Sequence, residues 1–589
     1  MAYRTHKCNE LRKSDSNKSV VLSGWVYRKR NLGGLVFIDL RDRYGITQVV
    51  FDPSKKPSLN DIFDTIKSEF VIKVEGIVSA RPESQINKNF ESGEIEVLVE
   101  NVEILSESKV LPFEIDQEKN ISEELRLKYR YLDLRKDKLR NNLILRSNVI
   151  KYVRDLFDKE GFLEIETPIL IKGTPEGSRE YIVPSRLYPG NFYVLPQSPQ
   201  QLKQLLMVSG FDKYFQMARC FRDEDQRGDR QPEFTQMDLE MSFVEPEDVM
   251  KVNEEILIKV VEKFAPDKKI LSKPFPVLTF HDAMNRYGSD KPDIRFDMEL
   301  IELSDIASRS DFNVFKEIVA NKGVVKGLKV EGGSIFTRKE ISEFEEVAKN
   351  HGAKGLSYII FEDSEIKGSA SKYFNEKLIS VLKTEFGLKS GDILFLGAGE
   401  FESCCNFMGQ VRLFAANKLG IIDNNIFAFL WVTDFPMFEK DENTGTLAAR
   451  HHPFTSPKND EDLEKDPLAA LAKAYDVILN GSEIGGGSVR IHNSNTQKKV
   501  FDLLGLTEED TQRRFGHLLE AFSYGVPPHG GIAWGIDRLI MILANEPNIR
   551  EVIAFPKDQK ARDLMLGSPT PIPEAQLNEA NIQVYVDKK

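Results

Sequence analysis

The chain has 589 residues and a formal net charge of −12, which predicts several domains and argues against indiscriminate nucleic-acid binding. Its 41% hydrophobic and 29% charged residues are typical of soluble globular proteins. No apolar run approaches the roughly 20 residues of a membrane helix, and no apolar segment follows the charged N-terminus as in a secretory signal. The four cysteines lack the spacing of a zinc site, which favours free thiols. We therefore expect a cytoplasmic protein without a membrane span.

The N-terminal segment is basic, because residues 1–50 contain ten Lys/Arg against four Asp/Glu. Short β-branched runs separated by turns lie at 20–26, 35–40, 47–51, 70–76 and 94–99. Five such strands predict a small barrel of OB type, a fold that binds single-stranded nucleic acid on aromatic and basic side chains. Phe37 and Arg30 are candidates for this role. On charge alone, a solvated surface is an equal alternative.

The rest of the chain divides by its patterning. Interleaved charges over roughly 107–135 predict a helical connector. An apolar 3.6-residue period over 139–160 predicts a helix that ends at Gly161. Strands alternate with helices up to about 289, and again from 421 with dense polar motifs. Residues 290–420 indicate a separate αβ piece. The last stretch has three prolines and predicts an extended tail.

The strongest chemical signal lies at 221–241. Its second half alternates, which places Gln236, Asp238 and Glu240 on one face of a predicted strand. Its first half places arginines among acids around a glycine turn. Guanidinium groups bind phosphate oxygens bidentately, so this hairpin is a plausible nucleotide cradle. A surface hairpin of mutually neutralising charges is the alternative.

Two later segments add phosphate and metal chemistry. A glycine-rich strand at 530–535 leads into an apolar helix with Arg538 near its start, where the helix dipole and a guanidinium both favour phosphate. Glu483, with Asp476 before it, offers the oxygen ligands that Mg²⁺ prefers. Three glycines at 485–487 would let the backbone approach a ligand closely.

In this order, these segments closely resemble the bacterial-type aspartyl-tRNA synthetases, class II enzymes with an N-terminal OB anticodon-binding domain. Residues 161–168, 221–224 and 535–538 look like motifs 1, 2 and 3 of the class. Residues 196–203 and 174–178 look like the family's aspartate-binding strand and mobile flipping loop. The resemblance covers essentially the whole chain and implies a multidomain α+β fold. Its parts would be a five-stranded OB β-barrel (1–106), a hinge (107–135), an antiparallel-sheet catalytic domain (136–289 and 421–560), an inserted α/β domain (290–420) and a C-terminal extension (561–589).

The resemblance implies that a homodimer activates L-aspartate with ATP and Mg²⁺ and then transfers it to the 3′-end of tRNA(Asp). The catalytic residues would be Arg222, Glu224 and Arg538. ATP would be bound by Arg222, Asp223, Glu224, Gln231, Glu483, Gly535, Ile536, Asp537 and Arg538, and the metal by Glu483 and Asp476. Aspartate would be bound by Glu176, Gln200, Lys203, Arg222, His451, with His452 beside it, and Arg490. The anticodon would be read by Arg30, Phe37 and Gln48.

Other functions compete with this one. An asparaginyl- or lysyl-tRNA synthetase would share the domains, but Lys203 with Arg490 argues for an anionic side chain. A synthetase-derived RNA-binding paralogue would have lost catalytic residues, whereas Arg222, Glu483 and Arg538 are all present. A plain OB-fold binder does not account for motifs outside the barrel. Whether tRNA(Asn) is also charged stays open, although Leu32 favours the discriminating form because the relaxed form often has histidine there.

Overall fold

The computed structural model describes residues 2–116, 121–173, 177–363, 365–441 and 444–585. The chain forms two compact units, Met1–Ile121 and Ser122–Lys589, and each has its own hydrophobic core. All four cysteines are buried and free of disulfide bonds. Within the described ranges, no helix is long and apolar enough to cross a membrane.

The first unit is a closed five-stranded barrel in the order β1-β2-β3-β5-β4. Strand β1 pairs antiparallel with β2 and with β4, and the parallel pair β3 and β5 closes the barrel. Alternate residues of β1, such as Val20 and Leu22, fill the interior. The predicted OB barrel is confirmed. Its elements are β1 (Ser19–Leu32), β2 (Leu35–Asp42), β3 (Gly45–Phe51), α1 (Asn60–Thr65), β4 (Val71–Ala80) and β5 (Ile95–Ser106).

The second unit begins with helices and the first strands of a large sheet. The elements up to the inserted segment are α2 (Glu123–Lys128), α3 (Arg130–Asp133), α4 (Asp137–Lys159), β6 (Leu163–Glu164), β7 (Ile182–Pro184), β8 (Phe192–Val194), α5 (Gln200–Val208), β9 (Lys213–Phe221), β10 (Glu233–Ser242), α6 (Pro246–Phe264), β11 (Lys269–Ile270), β12 (Val277–Thr279) and α7 (Phe280–Tyr287). Helix α4 begins two residues before the predicted helix and ends one residue earlier.

The middle of this unit is a five-stranded antiparallel sheet in the order β13-β14-β17-β15-β16. Helices α10 and α12 contribute to the core on one side of it, and α8, α9 and α11 to a second core. The elements are β13 (Leu300–Glu302), α8 (Ser304–Ser308), α9 (Asn313–Ala320), β14 (Val324–Val330), α10 (Arg338–Asn350), β15 (Ser357–Phe361), β16 (Ile366–Lys367), α11 (Glu376–Phe386), β17 (Ile393–Gly399) and α12 (Phe401–Leu419).

The chain then returns to the large sheet. The remaining elements are β18 (Ile426–Phe427), β19 (Phe429–Thr433), β20 (Phe438–Lys440), β21 (Leu447–Ala449), α13 (Asp462–Lys465), β22 (Ala474–Leu479), β23 (Ser482–Val489), α14 (Ser494–Leu503), α15 (Glu508–Ser523), β24 (His529–Gly535), α16 (Ile536–Leu543) and α17 (Glu574–Glu579).

The large sheet has eight strands in the order β12-β19-β22-β23-β24-β10-β9-β6. Neighbouring strands are antiparallel except for the two edge pairs, β12 with β19 and β6 with β9. Helices α4, α6 and α16 cover one face, where Met237 and Leu239 of β10 join the core. Because side chains alternate along a strand, Asp238 and Glu240 lie on the opposite face. The expected antiparallel catalytic sheet is confirmed, and this second face holds its polar residues.

Candidate active site

Two adjoining cavities lie on the polar face of the large sheet. One has a volume of about 390 Å³ and is lined by the loop between β9 and β10 and by the start of α16. The other has a volume of about 530 Å³ and is lined by β22, β23 and α5. Both are bordered by Arg222, Gln236, Glu483 and Ala533. A ligand with two chemically different halves could therefore span them.

The first cavity is lined by several cationic side chains. Arg538, in the first turn of α16, donates to the Glu483 carbonyl and to Asp229 Oδ2 at 3.0 Å. The Arg222 guanidinium lies 5.1 Å from the Phe234 ring centroid. Guanidinium groups beside a helix N-terminus suit a polyphosphate, because both carry positive charge and N–H donors. We name this space the nucleotide cavity.

Acidic Glu224 is fixed at the edge of the nucleotide cavity. It accepts a hydrogen bond from the Ser178 hydroxyl and another from Arg230 at 2.8 Å. Strands β9 and β10 pair in register from Phe221 opposite Glu233, so the intervening loop is the predicted arginine-rich hairpin. The loop thus brings acceptors as well as cations to a nucleotide.

Other residues assigned to ATP contact the protein itself. The Gln231 amide donates to the Lys557 carbonyl at 3.1 Å and accepts from the Lys557 N–H at 2.7 Å. Asp537 accepts from Arg146 at 2.5 Å and from the Thr235 N–H at 2.9 Å. Three further residues were predicted to bind ATP. Gly535 ends β24, the Ile536 side chain lies in the core, and the Asp223 N–H donates to the Arg179 carbonyl. These contacts hold the cavity walls in place.

Asp476 and Glu483 form an acidic pair, in which Glu483 borders both cavities and Asp476 borders the second. Burial raises the Asp476 pKa well above its ordinary value, and the adjacent Glu483 charge adds to this. Burial alone would raise the Glu483 pKa as well, but Lys291 and Arg538 hold it below its usual range. The Lys291 ammonium lies 3.0 Å from Glu483 Oε2. A side chain at Gly486 would bring its Cβ within 2.6 Å of Asp476 Oδ1, so any larger residue there would displace the Asp476 carboxylate.

These carboxylates fit Mg²⁺. The described part of the chain has no cluster of three or more potential ligands among His, Cys, Asp and Glu. Mg²⁺ needs no such cage, because it usually binds one or two carboxylates and completes its shell with waters and substrate phosphates. Asp476 and Glu483 would supply these two carboxylates beside the nucleotide cavity.

The second cavity is built around four buried charges. Lys203 Nζ lies 2.8 Å from Asp238 Oδ2 and 3.2 Å from Glu240 Oε2. Arg490 is bidentate on Glu240, with N–O distances of 2.9 and 3.1 Å. Burial would raise the Glu240 pKa, but Arg490 and Lys203 hold it at about 2. The carboxylate therefore stays ionised at neutral pH. We name these four residues the charge quartet.

Gly531 of β24 makes this arrangement possible. It lies opposite Glu240 of β10 on one side and opposite Ser488 of β23 on the other. A Cβ there would lie 2.1 Å from Glu240 Oε2. Because the glycine leaves that space empty, the Glu240 carboxylate can extend over β24 to Arg490, which directly follows β23.

Histidine and glutamine side chains complete the second cavity. His452 Nε2 lies 2.7 Å from Arg490 Nη1, and Gln200 donates to Gln204 at 3.1 Å. His451 Nε2 is buried without a hydrogen-bond partner among the described residues. Burial lowers the His451 pKa to about 4, so its imidazole is neutral at pH 7. This nitrogen is therefore available to a water or a ligand in the cavity.

The structure brings most predicted site residues together. Arg222, Glu224, Glu483 and Arg538 border the nucleotide cavity, and Gln200, Lys203, His451, Asp476 and Arg490 border the second. Glu176 lies outside the described residues. Asp238 and Glu240 lie on the face predicted for them, but no role was expected for either, and Lys291 was not among the predicted residues. The alternation over 236–240 was a signal for the first two.

The predicted anticodon residues lie in the barrel unit, on one outer face. Arg30 of β1 is opposite Phe37 of β2, and Asp39 of β2 is opposite Gln48 of β3. Arg30 donates to Asp39 Oδ1 at 2.7 Å, and Phe37 is half-buried. Gln48 is largely buried.

Comparison with known proteins gives consistent results. Residues 122–559 match the family "tRNA synthetases class II (D, K and N)", and residues 20–105 match the "OB-fold nucleic acid binding domain". The chain is 50% identical over 585 residues to "Aspartate--tRNA(Asp/Asn) ligase" of Thermoanaerobacter pseudethanolicus, covering 99% of this chain and 98% of that protein. It is also 50% identical over 586 residues to "Aspartate--tRNA ligase" of Ruminiclostridium cellulolyticum, covering 99% and 98%.

Solved structures show the same fold at low identity. The asparaginyl-tRNA synthetase of Pyrococcus horikoshii, complexed with asparaginyl-adenylate, has a TM-score of 0.58 and 19% identity, covering 94% of this chain and 97% of that chain. The aspartyl-tRNA synthetase of Entamoeba histolytica has a TM-score of 0.57 and 20% identity, covering 94% and 91%.

Proposed function

Because the chain belongs to the class II tRNA synthetases of the aspartate, lysine and asparagine group, we propose that its two cavities form aspartyl-adenylate and then charge tRNA(Asp). The observation that carries this proposal is the buried pair Lys203 and Arg490 beside the nucleotide cavity. These two cationic donors suit a substrate carboxylate. The reaction would take place in the cytoplasm, where tRNA and ATP meet.

The first step needs positioning and charge stabilisation. An oxygen of the aspartate α-carboxylate attacks the α-phosphorus of ATP, the bond to the β-phosphate oxygen breaks, and pyrophosphate leaves with the electron pair. Arg222 borders both cavities, so its guanidinium can neutralise the carboxylate and the α-phosphate together. Arg538 would hold the γ-phosphate, and Glu224 the adenosine end. Mg²⁺ bound by Glu483 and Asp476 would supply further positive charge to the phosphates. In the second step the aspartyl group passes to a hydroxyl of the terminal tRNA adenosine.

The charge quartet supports a preference for aspartate. Lys203 and Arg490 only donate, so the amide nitrogen of asparagine would meet donors where a carboxylate oxygen is wanted. Polar groups left unpaired in a buried site destabilise the complex with asparagine, so the site would favour aspartate. Asp238 Oδ1 is buried without a partner among the described residues, and it would accept from the substrate ammonium.

The tRNA would be recognised in part by the barrel. Phe37 would stack on an unpaired anticodon base, and Arg30 and Gln48 would bind base edges, because RNA sequence is read mostly on unstacked loop bases. This assignment is supported by the OB-fold match and by the shared outer face of the three residues.

The first test is amino-acid-dependent ATP–pyrophosphate exchange with Mg²⁺, using aspartate, asparagine, glutamate and lysine in parallel. We expect exchange with aspartate alone, followed by charging of tRNA(Asp) when tRNA is added. Exchange with asparagine or lysine instead would overturn the substrate, and no exchange with any of them would favour a binding paralogue. The same charging assay with tRNA(Asn) decides between the two specificities named among the relatives.

We further propose a homodimer formed at the β6 edge of the large sheet. Leu163 of this strand is 54% exposed, and Phe243, just after β10, is 72% exposed. Ile169 and Leu170, a few residues after β6 in the chain, are exposed as well. An exposed apolar patch on an edge strand is typical of an interface between subunits.

Sedimentation at micromolar concentration tests the dimer. We expect a species of twice 67.1 kDa, and a monomer for Leu163→Arg, because the substitution places a charge in the apolar interface. The matched control is Ile335→Arg in the inserted segment, where the replaced side chain is 76% exposed and the dimer should persist. A monomeric wild-type protein would contradict the proposal.

A further inference from the structure

A short loop carries a lysine to the place where the two cavities meet. Residues 288–293 lie between α7 and β13, the first strand of the five-stranded sheet. Lys291 lines the nucleotide cavity, and the neighbouring Asp290 lines the second cavity. The Lys291 ammonium lies 3.0 Å from Glu483 Oε2, and Glu483 borders both cavities. The ammonium is therefore next to the junction at which adenylate would form.

The loop is anchored at both ends by α12. Gly288 ends α7 with φ of +70°, and a Cβ there would lie 2.3 Å from the Cys405 carbonyl oxygen of α12. Asp293 is 4% exposed and accepts from Arg295 at 2.6 Å. Arg412 of α12 donates to the Asp293 carbonyl at 3.0 Å. Two close backbone anchors fix where the Lys291 side chain begins, which is the property a preorganised charge needs.

On the basis of the proposed function, we propose that Lys291 is a further catalytic residue, whose ammonium neutralises the pyrophosphate as it leaves the α-phosphorus. When the bond between the α-phosphorus and the bridging oxygen breaks, negative charge develops on that oxygen. A fixed cation near this position lowers the energy of the transition state more than that of bound ATP.

The present partner of Lys291 is consistent with this role. Glu483 holds the ammonium at 3.0 Å, and its other tasks in the proposed reaction are oxygen donation to Mg²⁺ and ATP binding. Asp290 Oδ2 lies farther away, at 3.9 Å. A polyphosphate in the cavity would offer the ammonium a further anionic partner beside these carboxylates. An ammonium is a compact point charge on a flexible stem, so it can turn from one oxygen to the other while the loop stays in place. Arg538 is less free to do so, because it already contacts Asp229 and the Glu483 carbonyl.

Exchange kinetics of Lys291→Met test the catalytic role. We expect the rate of aspartate-dependent exchange to fall about tenfold to a hundredfold and the KM for pyrophosphate to rise about tenfold, since one preorganised charge is lost. The KM for aspartate should stay within about twofold, because the charge quartet is untouched. Lys291→Arg should recover most of the rate. Lys268→Met is the matched control, because its ammonium contacts only the Asn424 carbonyl among the hydrogen-bond partners described, and it should behave as wild type.

A binding measurement separates this role from a purely structural one. Calorimetric titration with magnesium pyrophosphate should give about tenfold weaker binding for Lys291→Met than for wild type. If Lys291 only neutralised Glu483, the variant would melt at a lower temperature but bind pyrophosphate unchanged, and the proposal would be overturned. Unchanged exchange in the variant would overturn it as well. A wild-type protein without aspartate-dependent exchange would instead refute the proposed function.

Discussion

Replacement of Arg490 by leucine is expected to lower aspartate-dependent pyrophosphate exchange by about a thousandfold. Arg490 is 2% exposed, so a substrate carboxylate that loses this partner would be buried away from water and left unpaired. ATP binding should remain, because Arg490 borders the second cavity and not the nucleotide cavity. Exchange kinetics and ATP calorimetry on the same preparation measure both effects. Lys203→Ala should behave in the same way.

Loss of stability in Arg490→Leu has to be separated from loss of substrate binding. Among the described residues, Arg490→Leu leaves the buried Glu240 with Lys203 as its ion-pair partner, and breaking such a buried pair costs about 3–5 kcal/mol. The double variant Arg490→Leu/Glu240→Gln removes the stranded charge and should recover most of the melting temperature. It should stay inactive with aspartate. Near-wild-type exchange in either variant would contradict the assignment of Arg490 to the substrate carboxylate.

Much of the fold was predictable from local patterning. Five short strands with turns gave the OB barrel, and the alternation over 236–240 gave a strand with one polar face, because these patterns repeat within a few residues. The role of Glu240 was not predictable in this way. Its contact with Arg490 joins residues 250 positions apart and depends on β24 lying between β10 and β23. It depends as well on the missing side chain at Gly531, which local sequence marks only as part of a glycine-rich strand.

The need for the glycines at 485–487 was likewise not predictable from local sequence. The sequence suggested that they allow a ligand to approach the backbone. In the structure, a Cβ at Gly487 would lie 2.2 Å from the Gly531 carbonyl oxygen, and one at Gly485 would lie 2.7 Å from the Ala533 carbonyl oxygen. These two glycines are therefore required for close packing against β24, and Gly486 leaves room for the Asp476 carboxylate. Local composition identified the positions, and the strand order explains them.

Replacement of Arg538 by alanine is expected to lower the rate of adenylate formation by about a hundredfold or more and to raise the KM for ATP. The guanidinium lies in the first turn of α16, where it adds to the positive end of the helix dipole, so its loss removes the main charge proposed for the γ-phosphate. The KM for aspartate should change little, because Arg538 does not border the second cavity. Exchange kinetics at varied ATP and aspartate concentrations measure the three quantities.

The partner of Arg538 supplies the control. Asp229 accepts from Arg538 at 3.0 Å, and its side chain is 47% exposed. Asp229→Asn removes the carboxylate charge but keeps a hydrogen-bond acceptor, so we expect a change of only a few fold, in line with the small energies of partly exposed ion pairs. A loss in Asp229→Asn as large as in Arg538→Ala would mean that the ion pair itself, and not the phosphate contact, is what the nucleotide cavity requires. An Arg538→Ala enzyme with an unchanged KM for ATP would remove the γ-phosphate assignment.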